Sequence, residues 1–276
     1  MRTVPLHDGR EMGMVKQLLR LMTELSSHRW LSRLMGAFSH SRLSRFMIPA
    51  FIRMYQIPAT EAEKHSREYR TLNEFFSRRL KPGMRPVAGE ADAVASPVDA
   101  IITAMGDIHS GTIMNVKGQD YELEELLNHS PHLELYKKGF FLVLYLSPTD
   151  YHRIHSPLTG RKIESDHIRG RAYPVNEFGM RHMKGVLSRN ERLITYIAGA
   201  NGEAAVVKVG AMNVSSIHYS DEEAAEWQIG DELAYFEFGS TVVLLLESGT
   251  FTPRPGLAAG AKVKMGELLG TLRRPS

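Results

Sequence analysis

The sequence predicts an α+β protein, with a helical N-terminal segment leading into a mostly antiparallel β domain, and two changes of pattern carry that expectation. Over residues 14–55 apolar side chains recur at helical spacing. Beyond Lys81-Pro82-Gly83 the chain turns to short apolar runs separated by Gly, Pro, Asp and Asn, the signature of strands and turns.

The helical stretch runs through Met14, Leu18, Met22 and Leu25, then Trp30, Leu34 and Phe38, then Leu43, Phe46, Met47 and Phe51, with breaks at Ser39-His40-Ser41 and at Pro49. Its polar face is rich in arginine. Arg2, Arg10, Lys16, Arg20, Arg29, Arg33, Arg42, Arg45 and Arg53 face only Asp8, Glu11 and Glu24 in the first sixty residues. Such a pattern suits a helix lying in a lipid interface, but by pattern alone a helical hairpin packed on the core is favoured, because amphipathic helices usually serve cores. A further helix is predicted over 61–80. The strands are predicted at 100–105, 111–116, 140–146, 194–197, 204–209, 233–238 and 242–246, with one short helix over 121–127.

Composition narrows the function. With 276 residues and 43% hydrophobic content the chain can build one substantial core with an appended segment. Cysteine is absent, which excludes disulfides, thiolate nucleophiles and Cys-type zinc sites and fits a reducing compartment. A formal charge of +3 is too small to imply a nucleic-acid partner. No run reaches the roughly 18–20 apolar residues of a membrane-spanning helix, and no secretory h-region is present.

Three clusters could carry chemistry. In Ser96-Pro97-Val98-Asp99-Ala100 the carboxylate is either a turn former satisfying backbone N–H groups or a reactive group. In Asp150-Tyr151-His152-Arg153-Ile154-His155-Ser156-Pro157 two histidines follow a buried strand; they could bind a metal, move protons or satisfy local hydrogen bonds. The remaining histidines form no supporting metal motif, and no metal is expected. In Phe238-Gly239-Ser240-Thr241 small residues interrupt two strand-like runs, as at a bulge, or where the Ser240 hydroxyl must reach its own preceding carbonyl. There is also a faint echo among Ser96-Pro97-Val98-Asp99-Ala100, Ser156-Pro157-Leu158-Thr159-Gly160 and the segment from Gly260 to Glu267. Each resembles the turns of biotinyl and lipoyl carrier domains, so the β domain is expected to contain carrier-like, barrel-sandwich elements. Lys262 and Lys264 lack the flanking residues of a modifiable carrier lysine.

Taken in order, these clusters resemble the phosphatidylserine decarboxylase family from about Tyr69 to Gly270. The matching stretches are Tyr69-Arg70-Thr71-Leu72-Asn73-Glu74-Phe75-Phe76, Ser96-Pro97-Val98-Asp99, Val116-Lys117-Gly118 with Tyr121 to Leu127, Asp150 to Pro157, Asn190-Glu191-Arg192, Val209 to Val214, and Phe238-Gly239-Ser240-Thr241-Val242. Two departures, Ala100 where Gly is usual and Phe238 where Leu is usual, remove no reactive group.

The resemblance implies a proenzyme. Asp99 orients His155, His155 takes the proton of Ser240, and Ser240 attacks the carbonyl of Gly239. Cleavage between Gly239 and Ser240 then leaves a β-subunit (1–239) and an α-subunit (240–276) capped by a pyruvoyl group derived from Ser240. That group is the only cofactor implied; it forms a Schiff base with phosphatidylserine, and His152 supplies the proton that completes phosphatidylethanolamine. The resemblance also favours lipid over core for the helical segment. Residues 1–60 are thus expected to associate with anionic membrane at the cytoplasmic face and 61–276 to form the catalytic β-rich domain, with a homodimer as an assembly open to it. The contrasting expectation is a serine hydrolase that uses Asp99, His155 and Ser240 on an external ester or peptide.

Overall fold

The computed structural model describes residues 36–116, 118–175, 177–211, 217–237 and 240–274, with backbone alone at 114, 115, 177, 178 and 240. The part of the helical segment predicted over 14–55 that precedes residue 36, the matching residues Lys117 and Met212-Asn213-Val214, Phe238 and the expected cleavage residue Gly239 lie outside these residues.

In chain order the strands are β1 (Ala93–Ala95), β2 (Ala100–Asp107), β3 (Thr112–Val116), β4 (Gln119–Glu122), β5 (Phe140–Leu146), β6 (Arg153–His155), β7 (Gly160–Ile168) and β8 (Arg192–Gly199). They continue with β9 (Gly202–Gly210), β10 (Ile217–Tyr219), β11 (Glu226–Trp227), β12 (Glu232–Phe236), β13 (Ser240–Leu246), β14 (Phe251–Pro253), β15 (Lys262–Val263) and β16 (Leu268–Leu272). An eight-stranded sheet in the order β11-β7-β8-β9-β13-β5-β2-β15 forms the body, joined by the smaller sheets β1-β16-β14, β10-β12-β6 and β3-β4. Every strand pairing is antiparallel, so the mixed, mainly antiparallel class expected from the sequence is what the chain adopts.

The central strands of the large sheet are buried on both faces, which explains why they read as continuous apolar runs. Val243 and Leu245 of β13 enter one core with Val143, Val207 and the short helices Leu123–Leu126 and Val186–Arg189. Val242, Leu244 and Leu246 enter the other, with Ile102, Leu144, Val206, Ile154 and Phe236. β13 is bonded along its length to β5 on one side and β9 on the other.

The sequence echo proves to be a local twofold arrangement. Ser96 Oγ donates to Val98 O and Ser156 Oγ to Leu158 O, both at 2.7 Å. Reciprocally, Ala95 N donates to Pro157 O and His155 N to Pro97 O, both at 2.8 Å. Each serine is bracketed by a Gly-acid pair: Gly266 N reaches Ser96 O, and Gly230 N reaches Ser156 O, at 2.9 Å in both cases. Ser96 N and Ser156 N complete the brackets through Glu267 O and Asp231 O. Both glycines have φ +86, and a Cβ on either would collide with the Pro86-Val87 segment, so neither tolerates a side chain. The sheet order has the same symmetry, with β11 and β15 on the outer edges of β7 and β2.

The helix predicted over 61–80 is reduced to Leu72–Phe76. Residues 61–63 pair with 79–81 instead, through Glu63 N to Arg79 O and Lys81 N to Glu61 O, both at 2.9 Å, so those backbone groups close a loop. Thr71 then starts the helix by accepting from Glu74 N at 3.0 Å. Before this loop lie a 3-10 stretch, Arg42–Met47, and the helix Ile48–Tyr55, whose first turn holds Pro49. Ile48 and Ile57 share an apolar cluster with Tyr69, Leu72 and Phe75, so the two sides of residue 60 pack together. Leu43, Phe46 and Met54 stay largely exposed beside Arg42, Arg45 and Arg53. Among the described residues no helix is long and apolar enough to cross a membrane.

Candidate active site

The site forms where β13 begins. Backbone register sets Ser240 opposite Leu146 at the end of β5 and opposite Gly210 at the end of β9. The β9 side is braced by Asn190, which is fully buried. Its Nδ2 donates to Gly210 O and to Tyr173 O, both at 2.8 Å, and its Oδ1 accepts from Tyr173 N at 3.0 Å. Neighbouring Arg192 points away from the site and donates to the carbonyls of Glu125, Leu126, Ser188 and Asn190, the first two at the end of helix Leu123–Leu126. The Asn190-Glu191-Arg192 stretch is therefore architecture for the strand that flanks position 240.

On the β5 side the chain leaves Leu146 into a loop shaped by Asp150, whose Oδ2 accepts from Ser147 N and Ser147 Oγ, both at 2.7 Å. Burial pushes the Asp150 carboxyl above its usual range. His152 follows, fully buried, with its ring 4.0 Å from that of Phe76 and its carbonyl accepting from Phe236 N at 3.1 Å. Its Nδ1 lies 2.9 Å from Asp150 O. A carbonyl only accepts, so Nδ1 carries the proton and Nε2 is a bare acceptor. That Nε2 has no partner among the described residues. Burial pushes the imidazole down to about 3, so it is neutral at physiological pH.

His155 repeats the arrangement. Its Nδ1 donates to Gly230 O at 2.7 Å, and its Nε2 accepts from the Tyr151 hydroxyl at 3.1 Å. Burial lowers its pKa as well. Both histidines thus present the same tautomer, each with Nδ1–H fixed on a carbonyl and Nε2 as a base.

Asp99 is close to His155 in the fold yet does not hold its ring. The two turns meet through His155 N and Pro97 O, while the Asp99 carboxylate takes Arg85. Arg85 Nε donates to Oδ1 at 2.8 Å, Nη2 to Oδ2 at 2.5 Å, and Met265 N to Oδ1 at 2.9 Å. Arg85 Nη2 also reaches Glu61 at 2.9 Å, and the hydrogen bond to Asp99 leads the causes that raise the guanidinium's pKa. The direct Asp99–His155 contact expected from the sequence is absent from this arrangement because each group has a better-matched partner: a guanidinium for the carboxylate, a carbonyl for Nδ1–H. A ready-made hydrolytic triad, which needs that contact, is not assembled here.

Sequence reasoning missed Arg85 and gave no role to Tyr151. Arg85 follows Lys81-Pro82-Gly83 and reads as linker, whereas Tyr151 lay inside a matching stretch and had that signal. Among the described residues no group of three or more His, Asp or Glu side chains is placed to hold a metal ion.

Comparison with known proteins adds the family. The family model described as phosphatidylserine decarboxylase matches residues 72–271. The chain is 45% identical to a phosphatidylserine decarboxylase proenzyme of Geobacillus kaustophilus (strain HTA426), over 93% of this chain and 97% of that one. It is 42% identical to the proenzyme of Anoxybacillus flavithermus (strain DSM 21510 / WK1), over 94% and 97%, and 40% identical to that of Brevibacillus brevis (strain 47 / JCM 6285 / NBRC 100599), over 94% and 99%. A match of this extent, running from the Phe76 helix through both serine turns to β16, means that the chain belongs to the phosphatidylserine decarboxylase family.

Proposed function

We propose that this chain is a proenzyme that cuts its own Gly239–Ser240 bond and then decarboxylates phosphatidylserine to phosphatidylethanolamine. The observation that carries the reading is the pair of buried, neutral imidazoles on and just before β6, the strand paired with β12 whose chain runs on to position 240, both with Nε2 unprotonated. His155 acts first. Its Nε2 exchanges the Tyr151 hydroxyl for that of Ser240, takes the serine proton as the oxygen attacks the Gly239 carbonyl, and returns it to the Ser240 nitrogen as the C–N bond breaks. The ester left behind eliminates the Gly239 carboxylate to give a dehydroalanine, which water converts to the pyruvoyl group with loss of ammonia. Asp99 contributes at one remove: anchored by Arg85 and Met265 N, it steadies the turn whose Pro97 carbonyl holds His155 N.

The orphaned, fully buried Nε2 of His152 is a polar acceptor without a partner among the described residues, which supports a role toward a pyruvoyl group at position 240. Once formed, the group would supply a ketone that draws electrons from the substrate as CO₂ leaves. His152, being neutral, must first accept a proton at Nε2, for which the substrate ammonium is the source. It then returns that proton to the substrate carbon.

Exposed Leu43, Phe46 and Met54 beside Arg42, Arg45 and Arg53 support docking of the helical segment on anionic lipid, with the protein peripheral at the cytoplasmic face. The reciprocal serine turns support the barrel-sandwich reading of the β domain. After the cut, 1–239 and 240–276 remain paired through β13.

Intact mass of the wild-type chain beside Ser240→Ala tests the core of this: two fragments from the first and one uncut chain of about 31 kDa from the second. CO₂ release from phosphatidylserine vesicles should follow only the cut form. A wild-type chain that stays whole, with an unmodified serine, overturns the proposal. Replacing Leu43, Phe46 and Met54 by serine should weaken vesicle binding without changing the cut; unchanged binding removes the docking surface.

A further inference from the structure

Glu237 sits two residues ahead of the Gly239–Ser240 bond and is buried. A buried carboxylate must be compensated, and here the compensation comes from three separate parts of the chain. His40, from the helical turn before Arg42–Met47, places Nε2 3.2 Å from Oε2. Asn73, from helix Leu72–Phe76, donates Nδ2 to Oε1 at 3.3 Å. His218, in β10, brings Nε2 to 3.7 Å from Oε1 and stacks on Tyr235 of the strand that leads to Glu237. The interaction of its ring N–H with the Glu237 carboxylate leads the causes that raise the His218 pKa, so this imidazole leans toward its charged form.

The helix that supplies Asn73 also supplies Phe76, whose ring lies against His152. One short element therefore touches both the segment leading to the expected cut and the histidine expected to serve catalysis. The sequence separations, 197 residues for His40 and 164 for Asn73, make Glu237 a long-range tie between the N-terminal helical segment and the stretch of chain that leads to the expected cut.

We propose that Glu237 is a positioning residue for self-processing: by gathering His40, Asn73 and His218 it fixes the chain ahead of position 239. The cut is thereby made conditional on the N-terminal segment being seated. This rests on the reading of Gly239–Ser240 as the cleaved bond. Charge-assisted contacts of this kind align a reacting carbonyl without touching it, so their loss slows the reaction more than it weakens the fold.

The test follows cleavage of the full chain made by cell-free translation, by intact mass against time, for wild type, Glu237→Ala, Glu237→Gln, His40→Ala and the double variant His40→Ala/Glu237→Ala. The expected result is roughly tenfold slower cleavage for Glu237→Ala and roughly threefold for His40→Ala. The double variant should be no slower than Glu237→Ala alone, since both changes break one contact. Glu237→Gln, which retains an acceptor for Asn73 and loses the charge, should fall between wild type and Glu237→Ala. In a Ser240→Ala background, trypsin should cut after Arg42 and Arg45 faster when His40 or Glu237 is replaced. His40 is half exposed, so its variant folds even where Glu237→Ala does not. Wild-type cleavage rates in both single variants, or effects that multiply in the double, would overturn the tie. A wild-type chain that never cleaves overturns instead the reading on which it rests, while the trypsin comparison still reports whether the contact holds the segment.

Discussion

The turn at Ser96 and the turn at Ser156 share their serine hydroxyl bond, their reciprocal backbone pair and their Gly-acid bracket, and two of their differences change the chemistry they carry. Ahead of the serine stands Ala95 in one and His155 in the other. Three residues after it stand Asp99 and Thr159, which fill the same structural role. Asp99 Oδ1 accepts from Met265 N at 2.9 Å, and Thr159 Oγ1 from Ile229 N at 3.0 Å. A hydroxyl thus suffices for the turn, and the carboxylate of Asp99 is surplus to it. That surplus charge meets Arg85 and, through it, Glu61. The symmetry supplies a pair of like corners, and breaking it sets them apart: one corner carries the imidazole proposed as the base and the other a buried ion pair.

Making the corners alike at their first difference gives the largest expected effect. His155→Ala copies Ala95 and should slow self-cleavage by roughly 10²–10⁴-fold, read from the intact-mass time course, with the backbone bond to Pro97 O retained. Next, Arg85→Ala strands the carboxylates of Asp99 and Glu61 and should destabilise the chain by about 3–5 kcal/mol in a urea titration.

A third test uses the imidazoles found at only one corner. His152 is held far below its free value of 6.5, at about 3, so between those limits the unfolded chain binds a proton that the folded chain refuses. The His152 contribution to stability therefore falls as pH drops below about 6.5, by up to about 1.4 kcal/mol per pH unit, and is exhausted near pH 3. In an uncut Ser240→Ala background, His152→Phe should flatten that slope; an unchanged slope would mean that His152 is protonated in the fold. The smallest effect belongs to Thr159→Val, which removes the acceptor for an exposed N–H and should cost less than about 1 kcal/mol in the same titration.

Much of this was legible in the chain, and what was not has a common cause. β5, β9 and β13 announced themselves because burial on both faces demands unbroken apolar runs. β7 went unseen: Arg161, Lys162, Glu164, Ser165, Asp166 and His167 leave no apolar rhythm to read. The helix expected over 61–80 lost to a ladder between 61–63 and 79–81, which no local propensity reveals. At the site, the residues were visible in their motifs, but their partners were not. Asp99 finds Arg85 across 14 residues and Glu237 finds His40 across 197, and such pairings depend on topology.

The place of β13 has a consequence for the life of the protein after processing. A cut ahead of residue 240 would leave a short chain whose first strand is the middle plank of an eight-stranded sheet, hydrogen-bonded to β9 and β5. Before the cut, folding is unimolecular; afterwards, two unfolded chains must meet, and recovery from heat or denaturant becomes second order in protein concentration. A chain still joined at 239–240 keeps a unimolecular route back to its fold, whereas the mature enzyme would have to find its second chain again and so would persist only as long as it avoids global opening.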